Sequence, residues 1–138
     1  MKRLLVLCTG NSCRSQMAEG WFRQIAGDRL EVYSAGVEAH GLNPRAVKVM
    51  EEIGIDISRQ RSNLVEDYRD LEFDYVLTVC DNARERCPWF PSNAEKIHHS
   101  FPDPADATGS EEEILDVFRE VRDAVGEYAK EFVELREL

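Results

Sequence analysis

Residues 4–15, Leu-Leu-Val-Leu-Cys-Thr-Gly-Asn-Ser-Cys-Arg-Ser, constrain the fold of this chain more than any other stretch. Leu4 to Leu7 are consecutively apolar, as in a short strand buried on both faces. Cys8, Gly10, Asn11 and Ser12 suit a tight turn. From Ser12 onward, Met17, Ala18, Trp21, Phe22 and Ile25 recur at helical spacing. The segment predicts strand, loop and helix, with a cysteine where the strand ends and an arginine where the helix begins.

That order carries chemistry. The first amides of a helix lack intrahelical partners, and the helix dipole puts partial positive charge there. A loop wrapped onto such a terminus makes a pocket for a tetrahedral oxyanion. Cys8 and Arg14 form C-x5-R. The residues between them, Thr9, Gly10, Asn11, Ser12 and Cys13, can close a ring of N–H donors. The Arg14 guanidinium can grip two oxygens of the anion in a fork. The same field favours a thiolate, so the Cys8 pKa is predicted to fall well below the free value of about 8.5. Ser15 can donate its hydroxyl to that sulfur. The competing reading makes Cys8 an ordinary strand-end cysteine and Arg14 a surface residue. C-x5-R alone is short enough to arise by chance. The strand before it, the helix after it and Ser15 favour an oxyanion-binding nucleophile.

The rest of the chain supplies the setting. Gly27-Asp28 breaks the helical pattern, and Leu30 to Ala35 alternates as a second strand. Asn43-Pro44 opens a helix with Ala46, Val47, Val49, Met50 and Ile53 on its apolar face, closed by Gly54. Ile55 to Ser58 is a short extended connection, and Leu64, Val65 and Tyr68 suggest a short helix. Phe73 to Val79 is a third strand with Cys80 at its carboxyl end. Asp81 to Cys87 is polar, reads as a short helix, and is stopped by Pro88. Lys96 to Ser100 is a weaker fourth strand, and Phe101-Pro102-Asp103-Pro104 a stiff loop. Ser110 and Glu113 form a capping box that opens a long amphipathic helix towards Leu135.

Strands alternating with helices predict a parallel sheet covered on both sides. We read residues 1–138 as one α/β domain of three layers. Its four parallel strands run in the flavodoxin-like order 2-1-3-4. No internal repeat or low-complexity segment interrupts it. In such sheets ligands bind at the carboxyl ends of the strands, near the switch in strand order. Strands one and three flank that switch, which brings Cys8 and Cys80 to one rim.

Composition narrows the partners. The net charge is −10, which argues against nucleic acid, because phosphate backbones are bound by clustered Lys and Arg. An anionic substrate must therefore be held by local features. No apolar run approaches the roughly 20 residues of a membrane helix. Met-Lys-Arg before Leu-Leu-Val-Leu resembles a signal peptide, but the run is short and no small-residue cleavage site follows. The expected location is the cytoplasm, and the expected state a monomer. There, the four cysteines favour catalytic or redox use over structural disulfides. Their spacings, C-x4-C and C-x6-C, fit zinc poorly, so neither metal nor other cofactor is expected.

Two further features gather at the rim. Asp103, on a proline-stiffened loop after the last strand, can give a proton to an oxygen leaving the bound anion. The plainer reading is an Asx turn. Cys80 and Cys87 sit too far apart along a helical turn for their sulfurs to bond, since Cα atoms must approach to about 7 Å. A disulfide between them requires that segment to rearrange. A movable dithiol beside a reactive thiolate suggests stepwise thiol–disulfide exchange.

Over essentially its whole length the chain resembles the thioredoxin-coupled arsenate reductases, which share the fold of the low-molecular-weight protein tyrosine phosphatases. The resemblance rests on Cys-Thr-Gly-Asn-Ser-Cys-Arg-Ser at 8–15, Ser-Ala-Gly at 34–36 and Asn-Pro at 43–44. Gly-Ile-Asp-Ile-Ser at 54–58, Cys-x6-Cys-Pro at 80–88 and Asp-Pro-Ala at 103–105 complete it. It implies that Cys8 attacks arsenate while Asp103 protonates the departing oxygen. Cys80 then attacks Cys8, Cys87 attacks Cys80, and thioredoxin reduces the final disulfide. Arg14 and the loop amides would hold the anion, Ser15 would stabilise the thiolate, and Cys13 stands outside the relay. Some relatives bind potassium through residues matching Asn11, Glu19 and Ser34. Here the two further positions are Arg61 and Asn63, which removes a carboxylate and adds a cation, so the site is in doubt. Arg61 either supplies the positive charge itself or points to solvent.

Two alternatives stay open. One is a phosphatase of the same fold, although Ala-Asp-Ala-Thr-Gly after Pro104 lacks the aromatic residues those enzymes usually place there. The other is a non-enzymatic oxyanion or phosphocysteine carrier, which leaves Cys80 and Cys87 unexplained.

Overall fold

The computed structural model describes residues 1–81, 90 and 92–138. Four parallel strands, β1 (Lys2–Cys8), β2 (Leu30–Gly36), β3 (Tyr75–Thr78) and β4 (Glu95–His98), form one sheet in the order β2-β1-β3-β4. Among the described residues three α-helices accompany them: α1 (Arg14–Ala26) and α2 (Pro44–Glu51) between strands, and α3 (Glu111–Leu135) after the last. This is the expected topology.

β1 lies between two parallel neighbours, and Leu4 to Leu7 are fully buried. Alternation along the strand sends Leu4 and Val6 to one face and Leu5 and Leu7 to the other. The first face carries the larger core, where Phe22 of α1 meets Phe132 of α3 edge to face at 5.2 Å. Trp21 clamps the two helices by donating from Nε1 to the Arg122 carbonyl at 3.0 Å.

The α2–α3 seam is electrostatic as well as apolar. Arg122, 8% exposed, donates to the Val49 carbonyl near the end of α2 and to Glu52. Arg119 grips the other Glu52 oxygen at 2.8 Å, and Arg45 makes a forked pair with Glu111. Hydrogen bonds and charge from Arg119, and then from Arg122, hold the Glu52 carboxyl down at about 2. Ser110 accepts from the Glu113 N–H while Glu113 accepts from the Ser110 N–H, the expected capping box.

The second face is thinner. Leu5, Leu7, Ala35, Phe73, Val76 and Phe90 bury one another there, with Tyr33 and Tyr68 alongside. Among the described residues the cover is a 3-10 turn at Val65–Tyr68 and adjoining loops, where the sequence suggested a short helix.

Element boundaries differ from expectation by a residue or two. α1 begins at Arg14 rather than Ser12, because Ser12 and Cys13 belong to the loop. β3 spans Tyr75–Thr78 rather than 73–79, since its ladder extends only where β1 and β4 both offer partners. β4 runs Glu95–His98 rather than 96–100 and is an exposed edge, with Glu95, Lys96 and His98 at the surface. The short helix expected over Asp81–Cys87, and Pro88 that ends it, lie outside the described residues except for Asp81.

Candidate active site

The loop from Cys8 to Ser15 is held from outside by its carbonyls. The Thr9 oxygen accepts from the Glu38 N–H at 3.0 Å, and the Gly10 oxygen from the His40 N–H at 3.0 Å. The Asn11 oxygen accepts from Ser62 Oγ at 2.9 Å and Gln16 Nε2 at 3.0 Å. The Ser12 oxygen accepts from the Asn43 N–H at 3.1 Å. A trans peptide points its N–H opposite to its C=O, and the structure contains no cis bond among its described residues. With the carbonyls of residues 9–12 turned outward, the amides of Gly10, Asn11, Ser12 and Cys13 face the inner side of the loop. That is the ring of donors an oxyanion needs.

Close packing makes this possible. A Cβ on Gly10 would lie 2.4 Å from His40 Nδ1, and one on Gly36 would lie 2.5 Å from the Thr9 carbonyl. Gly36 faces backbone oxygens and so must be glycine for the β2–α2 connection to press against the loop, whereas at Gly10 the exposed His40 ring would have to move. Asn11 takes the left-handed conformation, φ 48°, and is fully buried. Its side chain explains why an asparagine tolerates this. Nδ2 donates to Ser15 Oγ at 2.8 Å, and Oδ1 accepts from the Asn63 N–H at 2.7 Å. Ser15 is thus supplied with a donor, and its own hydroxyl proton is directed elsewhere.

Cys8, 3% exposed, ends β1 as a thiol outside any disulfide. Arg14, also 3% exposed, opens α1. Its Nη1 donates to the Phe101 carbonyl at 3.2 Å, and its Nη2 lies 3.5 Å from Asp103 Oδ2. The Asx turn expected at Asp103 is present, and the carboxylate also reaches the arginine. Oδ1 accepts from the Ala105 N–H in an Asx turn, while Oδ2 faces the arginine. Cys80, beyond the end of β3, is buried and disulfide-bonded. Its strand neighbours Cys8's, with Leu7 in register with Thr78 and the Val79 N–H donating to the Leu7 carbonyl. The structure so brings Cys8, Arg14, Asp103 and Cys80 to one end of the sheet, whereas Cys87 lies outside the described residues.

Cys13 behaves differently from its neighbour. It is 4% exposed, with Sγ 3.7 Å from Ser12 Oγ, and burial pushes its thiol up to about 11. It is a protonated packing group at neutral pH.

The residues that match a potassium site are bonded to one another and to Arg23 and Asn63. Ser34 Oγ donates to Glu19 Oε1 at 2.5 Å, and Arg23 pairs with Glu19 Oε2 at 2.9 Å. Burial raises the Glu19 pKa, opposed by Ser34 and Arg23. The carboxylate already has its cation in Arg23, and Asn11 Oδ1 is taken by Asn63. Arg61 is exposed, so its guanidinium points to solvent and only its carbonyl joins the network. No group of three potential metal-binding side chains occurs among the described residues.

Sequence reasoning missed Gln16, Ser62 and the Phe101 carbonyl. Gln16 is fully buried and bridges the loop to Arg61 O and to Gln60. It occupies a helical position that periodicity alone assigns no role. A backbone carbonyl leaves no trace in a sequence at all.

Comparison with known proteins places the chain in a family. Residues 3–138 match the low molecular weight phosphotyrosine protein phosphatase family. An arsenate reductase of Halalkalibacterium halodurans is 54% identical over 96% of each chain. One from Bacillus subtilis is 53% identical over 96% of each chain. A solved arsenate reductase in the phosphate binding state superposes with a TM-score of 0.82 at 33% identity, covering 97% of this chain and 98% of that one. No described helix is long and apolar enough to cross a membrane. The chain belongs to the low molecular weight phosphotyrosine protein phosphatase family, and within it to the arsenate reductases.

Proposed function

We propose that the protein reduces arsenate to arsenite by a thiol relay through Cys8, Cys80 and Cys87, with thioredoxin as the final reductant, in cytoplasmic arsenic detoxification. The observation that carries the reading is the meeting of the reduced Cys8 thiol, the Arg14 guanidinium and the inward amides of residues 10–13 at the end of β1.

Arsenate binds with its oxygens on those amides and on Arg14. The helix terminus and the arginine favour the Cys8 thiolate, to which Ser15 lends its hydroxyl. The thiolate forms a bond to arsenic, and an oxygen leaves as water, taking a proton from Asp103. The Cys80 thiolate next attacks the Cys8 sulfur. The S–As bond breaks with its electron pair going to arsenic, which falls from As(V) to As(III), and a Cys8–Cys80 disulfide remains. Cys87 attacks Cys80, returning Cys8 as thiolate and leaving a Cys80–Cys87 disulfide. Thioredoxin takes that disulfide by the same exchange. A disulfide at Cys80 with Cys8 reduced fits the end of this sequence.

A single turnover tests it. Fully reduced protein is mixed with arsenate without external reductant, and arsenite and disulfide pairs are quantified. About one arsenite per chain, with a Cys80–Cys87 disulfide, is the expected outcome. Arsenite with a terminal Cys8–Cys80 disulfide removes Cys87 from the relay. Intact thiols, no arsenite and hydrolysis of an aryl phosphate would make the protein a phosphatase instead.

A further inference from the structure

The Arg14 guanidinium is oriented by a segment that belongs to neither the loop nor its helix. Nη1 donates to the Phe101 carbonyl at 3.2 Å, in a buried contact spanning 87 positions of sequence. Residues 99–103 leave the sheet after the exposed edge strand β4. Backbone bonds hold them to the β3 side, from the His99 N–H to the Thr78 carbonyl and from the Phe101 N–H to the Val79 carbonyl. On the other side the contact is aromatic. The His99 ring stacks on Tyr128 of α3, with centroids 4.2 Å apart and planes 24° from parallel. Phe101 meets the same tyrosine edge to face at 6.0 Å and lies 4.8 Å from His99. Tyr128 in turn contacts Phe132, which packs on Phe22 of α1. A single ring on α3 therefore braces both aromatic residues flanking Ser100.

We infer that Tyr128 is a positioning residue for the oxyanion: its stack with His99 and Phe101 holds the Phe101 carbonyl against Arg14. The inference rests on the reading that Arg14 grips the substrate anion. A guanidinium binds two anion oxygens well only when its plane is fixed, because the fork is rigid and directional. The Phe101 carbonyl fixes that plane from one edge, and Asp103, two residues on, moves with the same segment. Loss of the Tyr128 ring leaves the carbonyl free to drift, and small misplacements of a binding group cost much affinity.

The test uses the full chain, reduced, with inorganic phosphate as probe. Phosphate protects Cys8 from iodoacetamide, and the protection curve yields a dissociation constant. Tyr128→Leu and His99→Ala are expected to weaken phosphate about tenfold, as misplacement of a binding group does. Tyr128→Phe, which keeps the ring, restores binding. Val125→Ala, a buried α3 residue about one turn away, lowers Tm without moving the phosphate constant. If Tyr128→Leu fails to fold, His99→Ala decides. Wild-type affinity in the folded variants overturns the inference, and so does an equal loss in Val125→Ala. Arg14→Ala separates the two levels. Its loss of phosphate beside a wild-type Tyr128→Leu defeats only the positioning role. Its retention of phosphate defeats the reading of the site itself.

Discussion

The loop at residues 8–15 and the segment at residues 99–104 build one site by opposite means. The first is contiguous: Cys8, the amide ring, Arg14 and Ser15 follow one another, and each carbonyl from residue 9 to 12 is tied down from outside. The second contributes one backbone carbonyl and one carboxylate, and reaches Arg14 across 87 positions of sequence. A contiguous loop states its chemistry in residue types. A docked segment owes its place to what packs behind it. The first should therefore fail chemically when a residue is changed, and the second geometrically.

Four experiments press on that contrast. Cys8→Ser should abolish arsenate reduction, a loss of at least about a thousandfold, since a neutral hydroxyl replaces the nucleophile. Phosphate binding should survive, measured by calorimetry, because the amide ring does not depend on sulfur. Asp103→Asn should slow arsenic–sulfur bond formation about a hundredfold through loss of the acid. Its Asx turn persists, so Tm should stay unchanged. A large drop in Tm would show that Asp103 is a structural brace rather than an acid.

Asn11→Ala should destabilise the fold by about 2–3 kcal/mol in urea titrations, from left-handed strain and lost buried hydrogen bonds. Asn11→Gly relieves only the strain. If Ala and Gly behave alike, the side-chain bonds to Ser15 and Asn63 carry the whole effect.

The smallest effect belongs to Cys13. Its thiol is raised from 9.0 to about 11 by burial, so the folded state holds the proton more tightly than the unfolded chain. The stability from this difference is complete below pH 9.0 and is lost as pH rises through about 11. Between those values wild type should lose more stability than Cys13→Ala. Equal slopes would show that Cys13 is not desolvated. At pH 8 iodoacetamide should label Cys8 and leave Cys13 untouched in folded, reduced protein.

Much of the architecture was legible beforehand because each feature was local. Leu4–Leu7 reads as a doubly buried strand, Asn43-Pro44 as a helix start, and Ser110 with Glu113 as a cap, and all three hold. The alternation of strands and helices implies parallel order 2-1-3-4, as found. Strand ends slipped because a strand stops where its neighbours stop, which β3 learns from β1 and β4 rather than from its own residues. The doubt over Arg61 was resolvable only in space. The buried Glu19 carboxylate is answered by Arg23, one helical turn away, and not by Arg61. That pairing is legible as an i,i+4 contact, but its place beside Ser34 is not.

What the sequence by itself determined is the strand–loop–helix course of Cys8–Ser15, because a short loop between a buried strand and a helix has few ways to turn. The outward pull on its carbonyls by Glu38, His40, Asn43 and Ser62 was decided only by the tertiary structure. So was the approach of Phe101 and Asp103 to Arg14. Those contacts join backbone atoms and distant loops. Backbone atoms are alike in every residue, so only packing, through rings such as Tyr128 and glycines such as Gly36, selects which of them meet.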